Sequence, residues 1–175
     1  MAELKFIFTG SPGVGKTTAI RAISEFDPVS TDVPVTDELA ALKGETTAAM
    51  DFGELTLGDG QKLRLYGTPG QERFRFMWDI LTRGALGLII LVDNSRPEPL
   101  KDLADYLDSF SDFIEQSGVV VGVTRLDSHP NPSIEKYYSL LGERDIAHPL
   151  FPTDIRRKED VSLLLNALMS SLEYR

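Results

Sequence analysis

Gly10-Ser11-Pro12-Gly13-Val14-Gly15-Lys16-Thr17 is the stretch of the sequence that decides the fold. It matches the pattern G-x-x-x-x-G-K-[ST], in which glycines let successive backbone N–H groups point at one anion. An apolar segment, residues 4–9, precedes it, and a helix-compatible segment follows it, so the positive end of a helix adds to the site. The lysine places a charge on terminal phosphates, and the last threonine offers a hydroxyl to Mg2+. The sequence therefore predicts a phosphate-binding loop, with these nucleotide-binding residues: Gly10, Gly13, Val14, Gly15, Lys16, Thr17 and Thr18.

Composition and charge narrow the class of protein. The chain has 175 residues, 42% of them hydrophobic and 26% charged, which favours a single domain over residues 1–175. Its net charge of -9 argues against nucleic acid as a partner. It contains no cysteine, which excludes disulfides and thiolate metal sites. We find no signal peptide, membrane span or lipid-anchor motif, and we expect a cytoplasmic protein.

The rest of the chain alternates between strands and helices, which predicts a three-layer α/β domain of the phosphate-loop nucleoside triphosphatase type. We expect a mixed, mostly parallel six-stranded sheet with helices on both faces, and the second strand antiparallel at the edge. The polar stretch 27–46 is predicted as a long loop. The predicted strands are residues 4–9, 48–57, 61–66, 86–92, 119–123 and 150–153. The predicted helices are residues 16–26, 71–82, 100–115, 133–141 and 159–172.

Two further stretches carry a resemblance to a known family. Gly70-Gln71-Glu72-Arg73-Phe74-Arg75 follows Thr68-Pro69, and Arg83-Gly84-Ala85-Leu86-Gly87 comes later. Together with the phosphate loop they resemble the Ras-superfamily small GTPases, close to the Rab and Arf style. The resemblance runs from residue 4 to about residue 170, and it is nearer still to bacterial members of the MglA and conservon kind.

This resemblance implies roles for residues near the terminal phosphate. The amide of Gly70 would approach the γ-phosphate, and Gln71 would orient a water for in-line attack. Lys16 is the second catalytic residue, through the charge it places on the phosphates. Thr47 matches the threonine that ligates Mg2+ in the family, beside Thr17, and Thr46 is the alternative because a loop can slip by one residue.

The base of the nucleotide is predicted to lie at two other loops. Thr124-Arg125-Leu126-Asp127 resembles the family motif [NT]-K-x-D. The Asp127 carboxylate can accept hydrogen bonds from the ring N–H and the exocyclic amine of guanine, which adenine does not offer in that arrangement. Arg125 replaces the family lysine, and its aliphatic stem can still cover the base. Asp154 and Ile155 stand where the family supports the base through a backbone amide.

The chain departs from the family pattern at two positions. Gly67 stands where the family has an aspartate that holds Mg2+ through a water, and the bacterial relatives also depart there. Asp51 and Asp93 are the nearby carboxylates that we consider as replacements. Pro12 removes an N–H group from the phosphate loop, although Gly13 and the glycine after it still allow the loop to close.

The resemblance implies a GTP-binding switch that hydrolyses GTP to GDP slowly, with GTP or GDP and Mg2+ bound. Its implied partners are a protein effector and an activating protein, which in the bacterial relatives is of the Roadblock-domain type. Two alternatives stay open from the residues themselves. One is a nucleotide-binding interaction module with little or no hydrolysis, and the other is an ATP-using phosphate-loop enzyme.

Overall fold

The computed structural model describes residues 3–34, 47–69 and 77–174, and side chains within these ranges except at 30–34 and 47–49. The strands are β1 (Leu4–Gly10), β2 (Val29–Pro34), β3 (Thr47–Thr56), β4 (Lys62–Gly67), β5 (Gly87–Asp93), β6 (Gly118–Thr124) and β7 (Leu150–Pro152). The helices are α1 (Lys16–Ile23), α2 (Trp78–Thr82), α3 (Pro99–Ser109), α4 (Ser111–Gln116), α5 (Ile134–Glu143) and α6 (Lys158–Glu173). In the described part of the chain, no helix is both long and apolar enough to cross a bilayer.

The strands form one mixed sheet in the order β2-β3-β4-β1-β5-β6-β7. The pairs β4–β1, β1–β5, β5–β6 and β6–β7 are parallel, whereas β3 runs antiparallel to both β2 and β4. The predicted α/β class, with a mostly parallel mixed sheet, is confirmed. The prediction of a loop throughout 27–46 was wrong at β2, which adds a seventh strand to the described sheet. For the same reason β3 is an interior strand and not the predicted edge.

Two apolar cores lie on opposite faces of the sheet, so the prediction of helices on both faces is confirmed. On one face α1 and α6 contribute side chains such as Ile20, Val161 and Leu164, all fully buried. On the other face α2, α3 and α5 cover the sheet, and Trp78 stacks on Phe110 with ring centroids 4.8 Å apart. Side chains of β5 and β6 are buried along their whole length, as expected of parallel strands covered on both faces.

Several local expectations are confirmed or adjusted by one or two residues. The hairpin between β3 and β4 turns at the predicted glycines, where the amide of Gly60 donates to the carbonyl of Leu57 over 2.9 Å. The predicted helix 100–115 is instead two helices, α3 and α4, separated at the buried Phe110. The predicted helix 71–82 is described only over α2, because residues 70–76 lie outside the described ranges.

Five parallel strands end at the same edge of the sheet, and four of these strand ends position the site. β1 ends at Gly10, β5 at Asp93, β6 at Thr124 and β7 at Pro152. In open α/β sheets, ligands bind beyond the carboxyl ends of the strands. Each predicted binding loop that the structure describes follows one of these strand ends.

Candidate functional site

The phosphate loop joins β1 to α1 and has the backbone shape that the sequence predicted. Gly13 and Gly15 have φ angles of 78° and 109°, in the region that L side chains rarely adopt. At Gly15 a Cβ atom would also lie 1.8 Å from Cδ1 of Ile155. The loop is closed by a hydrogen bond of 3.1 Å from the Val14 amide to the carbonyl of Ser11. The conformation of the loop therefore requires glycine at both positions, and the contact with residue 155 requires it again at Gly15.

Lys16 is the first residue of α1, and its ammonium group points back into the loop. Nζ donates to the carbonyl oxygens of Gly10 at 2.7 Å and Ser11 at 3.1 Å, and the residue is buried. Burial lowers the pKa of Lys16 to about 8, while the charge of Asp51 opposes the shift. An anion bound in the loop would add negative charge beside this ammonium group and raise its pKa again.

Thr17 and Asp51 meet directly, although they lie on different elements. The Thr17 hydroxyl donates to Oδ2 of Asp51, which projects from β3. In the β3–β4 ladder Asp51 is paired with Gly67, the position where the family has its aspartate. A Cβ atom at Gly67 would lie 3.5 Å from Oδ2 of Asp51. A carboxylate from β3 therefore lies close to the position on β4 where the resemblance implies one.

Asp93, the other carboxylate considered for magnesium, already has partners on both oxygens. Its Oδ2 accepts from Nη1 of Arg125, and its Oδ1 accepts from the amide and hydroxyl of Ser95 at 2.9 and 2.6 Å. Asp93 is buried, so these donors compensate its loss of hydration. This arrangement favours Asp51 over Asp93 as the carboxylate of a magnesium site.

Arg125 connects the loop after β6, where the base is predicted to bind, to the phosphate loop. Its backbone has a φ of 62°, and its Nη2 donates to the carbonyl of Gly13 at 3.3 Å. The Thr124 hydroxyl is buried and donates to the carbonyl of Val92 at 3.2 Å, so it supports the end of β6. Asp127 follows with an exposed side chain, for which the described residues provide no hydrogen-bond donor.

The loop after β7 forms the opposite wall of the site. The amide of Asp154 donates to Oδ2 of Asp160 at 2.8 Å, so it is already engaged. The Asp154 carboxylate accepts from Arg156, and these bonds lower the pKa of Asp154 to about 2. Ile155 lies against Gly15, as its distance to the missing Cβ shows. Residue 155 therefore ties this wall to the phosphate loop.

Together these loops enclose a cavity of about 670 Å³. It is lined by residues 13–15, 123–128 and 152–157, with Thr18 and Asp160. The phosphate loop and both predicted base-binding loops thus share one cavity of the size that takes a drug-sized ligand.

Of the predicted site residues, Gly10, Lys16 and Thr17 are not among those that line this cavity. Three more are not brought to it by the described structure. Gly70 and Gln71 lie outside the described ranges, as does the alternative Thr46. Thr47 is the first residue of β3 and is paired with Pro34 of β2. Asp51 lies four residues further along the strand, which corresponds to about 13 Å at about 3.3 Å per residue. Within the described ranges there is also no cluster of three or more His, Asp or Glu side chains able to hold a metal by themselves.

Sequence reasoning missed Asn94, Tyr137 and Asp160. Asn94 and Tyr137 are buried beside the loop of Asp127, and the tyrosine hydroxyl donates a hydrogen bond to the asparagine. The Asp160 carboxylate accepts a hydrogen bond from the backbone amide of Asp154. The one available signal was the Asp-Asn pair that directly follows the apolar strand β5, since polar residues at a strand end often belong to a site. Nothing in the sequence pointed to Tyr137 or Asp160.

Known proteins with similar sequences include an uncharacterized protein and several Ras-related proteins. An uncharacterized protein of Methanocaldococcus jannaschii is 35% identical over 94 residues, which cover 54% of this chain and 53% of that protein. The Ras-related protein Rab-18-B of Danio rerio is 30% identical over 125 residues, covering 69% of this chain and 54% of Rab-18-B. The Ras-related protein Rab-27A of Rattus norvegicus is 24% identical over 189 residues, covering 97% and 80%. The chain thus spans about half the length of the first two of these relatives.

These relatives confirm the similarity to Rab and Ras-related proteins at modest identity, whereas the closer match to the MglA kind stays a prediction. A family model adds a second finding, because it matches residues 27–138, a range that begins after the phosphate loop. By this match the chain belongs to the family described as "Conserved hypothetical ATP binding protein".

Proposed function

We propose that this chain binds GTP and GDP together with Mg2+ and acts as a switch that hydrolyses GTP slowly. The observation that carries the proposal is the bridge from Arg125 to Gly13, with 3.3 Å between Nη2 and the carbonyl oxygen. It joins the loop that would read the base to the loop that would hold the phosphates. A nucleotide laid along this bridge would have its phosphates at Lys16 and its base at Asp127.

Selection of guanine follows from the chemistry of Asp127. A carboxylate accepts two hydrogen bonds from the N1–H and the 2-amino group of guanine, whereas adenine presents a lone pair at N1. Because the described residues offer no hydrogen-bond donor to Asp127, its oxygens are available to a ligand. Ile155 and the aliphatic stem of Arg125 would cover the two faces of the base.

Hydrolysis in this proposal depends mainly on positioning and charge. Lys16 would leave the carbonyls of Gly10 and Ser11 and donate to the terminal phosphates. Gln71 would orient the attacking water, and the Gly70 amide would donate to the γ-phosphate. Bound Mg2+ would neutralise charge on the phosphate oxygens, held by Thr17 and, through water, by Asp51. Turnover without a partner should be slow, because a positioned arginine is worth about 10³–10⁵ in rate.

The switch itself would involve the start of β3. Thr47 is engaged in the β2–β3 ladder, opposite Pro34. For Thr47 to ligate Mg2+ beside Thr17, the first residues of β3 would have to leave this ladder. We therefore propose that the first residues of β3 are unpaired from β2 when GTP is bound, and that they pair again when GDP is bound. Such a change would present a different surface to an effector.

Partners and location belong to the same proposal. We infer an effector and an activating protein, with a Roadblock-domain protein as the first to test, because the resemblance to bacterial relatives suggests it. We also infer a cytoplasmic location. A pull-down with the GTP-loaded and GDP-loaded chain tests the partner, since an effector must discriminate between the two forms.

One experiment tests the binding proposal directly. Nucleotide released from the purified, denatured protein is identified by chromatography, and the emptied protein is then titrated with GDP and ADP in the presence of Mg2+. We expect bound guanine nucleotide and at least about a hundredfold preference for GDP. Asp127→Ala should remove this preference. Asp112→Ala is the matched control, because Asp112 is exposed on α4 and does not line the cavity.

A second candidate function is the binding of ATP. The description of the matched family favours it, as does the engagement of the Asp154 amide by Asp160, since that amide is then not free for the O6 atom of guanine. Equal or tighter binding of ADP in the titration would select this candidate. Tight GTP binding without phosphate release, even with a partner added, would instead select an interaction module.

A further inference from the structure

A buried polar cluster lies next to the loop that carries Asp127. Asn94 follows β5 and is 2% exposed. Its Nδ2 donates to the carbonyl oxygens of His129 at 2.6 Å and Pro132 at 3.0 Å. The hydroxyl of Tyr137, on α5, donates to Oδ1 of Asn94 at 2.5 Å, and this tyrosine is fully buried. Both ends of the Asn94 amide are therefore engaged, which fixes its orientation.

The carbonyls that Asn94 holds belong to the same loop as Asp127. The loop begins after β6, where the backbone N–H of Asn94 donates to the carbonyl of Thr124 at 3.1 Å. It turns at Asp127, since the His129 amide donates back to the carbonyl of Arg125 at 2.9 Å. Asn94 thus contacts the loop on both sides of Asp127, once before it and twice after it.

Asp127 depends on this backbone for its direction. Its side chain is exposed, and no described residue holds the carboxylate by a hydrogen bond. An unsupported side chain can address two donors at once only if its backbone is fixed, because misplacement by about 1 Å is enough to impair such a site. The support must therefore come from the groups that hold the loop.

The chemical state of Tyr137 suits this role. Burial raises the pKa of Tyr137 above its ordinary range, and the charges of Asp102 and Asp93 act in the same direction. The hydroxyl therefore keeps its proton and stays a donor to Asn94 over the whole physiological range. A buried network of this kind stabilises one arrangement when every member is satisfied.

We propose that Asn94 and Tyr137 are positioning residues that determine how strictly the site selects a purine with an N1–H and a 2-amino group. They do so by holding the carbonyls of His129 and Pro132, and with them the backbone of Asp127. This inference rests on the proposed function, because it requires that Asp127 reads the base.

The test compares GDP with IDP, which keeps the N1–H but lacks the 2-amino group. Affinities of the full chain for both nucleotides are measured with Mg2+ by calorimetry, and melting temperatures are recorded in parallel. We expect the wild type to prefer GDP by about tenfold or more, the worth of one hydrogen bond to a charged group. Asn94→Ala and Tyr137→Phe should each reduce this ratio by about threefold or more.

Tyr138→Phe is the matched control. Tyr138 is the next residue of the same helix, and its hydroxyl donates to the carbonyl of Leu150 at 3.0 Å and not to the Asp127 loop. Its loss should leave the ratio of GDP to IDP affinity unchanged. If the cluster were merely structural, the variants would have a lower melting temperature and would bind GDP and IDP more weakly by the same factor. An unchanged ratio of GDP to IDP affinity in Tyr137→Phe would overturn the inference.

These measurements, together with the titration of the wild type with GDP and ADP, separate this inference from the proposed function. A wild type that does not prefer GDP over ADP refutes guanine binding and the inference with it. A wild type that prefers GDP over ADP, together with an unaltered GDP to IDP ratio in the variants, refutes the inference alone. If Asn94→Ala does not fold, Tyr137→Phe decides, because it removes a single oxygen atom.

Discussion

Raising the pH from about 7 to about 8.5 should weaken nucleotide binding through Lys16, because its pKa in the free protein is lowered to about 8. The free protein holds this ammonium group in a buried place between two carbonyl oxygens. Bound phosphates would bring negative charge next to it and raise its pKa again. Binding therefore favours the protonated lysine, and the loss of protons at higher pH opposes binding.

The magnitude follows from the fraction of Lys16 that is protonated in the free protein. With a pKa of about 8 that fraction is about nine-tenths at pH 7, about one-half at pH 8 and about one-quarter at pH 8.5. The affinity for GDP should accordingly fall about fourfold between pH 7 and pH 8.5. At about pH 8 the protein should take up about half a proton for each nucleotide bound.

Calorimetry in two buffers of different ionisation enthalpy measures this proton uptake. Lys16→Arg is the matched control, because a guanidinium group stays protonated at every pH in the range and so takes up no proton on binding. Uptake near zero in the wild type, or equal uptake in Lys16→Arg, would show that the burial of Lys16 does not set the pH dependence.

Three other substitutions test separate parts of the site. Asp51→Ala should lower Mg2+ affinity by about 10–100-fold. Adding Gly67→Asp should restore most of this affinity, because residues 51 and 67 are opposite each other in the ladder. A double variant that binds Mg2+ no better than Asp51→Ala would count against the idea that the two carboxylates occupy the same place. Asp127→Asn should lower the affinity for GDP and raise the affinity for xanthosine diphosphate, whose 2-oxo group accepts a hydrogen bond from the new amide. Competition between the two nucleotides for the variant measures this change. Gly15→Ala should lower the melting temperature and weaken GDP, since its φ of 109° costs an L side chain about 1–3 kcal/mol. Adding Ile155→Ala relieves the 1.8 Å contact and not the backbone strain, so complete rescue by it would contradict this account.

The parts of the fold that could be predicted are those whose signal is local. β5 and β6 read as unbroken apolar runs, which is the pattern of parallel strands buried on both faces. The phosphate loop was predictable because its backbone needs positive φ angles, which glycine adopts readily, so any sequence with this loop must have glycines there. Asp127 could be placed near the phosphate loop because its motif, residues 124–127, directly follows the predicted buried strand 119–123.

β2 could not be predicted from its residues. Val-Ser-Thr-Asp-Val-Pro contains polar residues and a terminal proline, which are typical of a loop. It becomes a strand because β3 presents an open backbone edge on the side away from β4, and pairing satisfies its N–H and C=O groups. The decisive interaction is thus between backbones, so the residue types of β2 do not predict a strand.

Asn94 and Tyr137 were missed for a different reason. They are 43 residues apart in sequence, and neither stands in a motif. A tyrosine on the apolar side of a predicted helix is normally a core residue, and Tyr137 is one. The positioning role that we propose for it depends on where its hydroxyl lies, and only the tertiary packing of α5 determines that place.

The relation between Asp51 and Gly67 shows why a broken motif does not by itself imply a lost site. Read along the chain, glycine at position 67 removes a carboxylate from the family pattern. Read across the sheet, the antiparallel register places residue 51 opposite residue 67, and its carboxylate bonds the hydroxyl of Thr17. A metal water responds to the place of an oxygen and not to the strand that supplies it. Magnesium binding should therefore depend on residue 51 in this chain, and the absence of aspartate at position 67 gives no reason to expect weak binding of nucleotide.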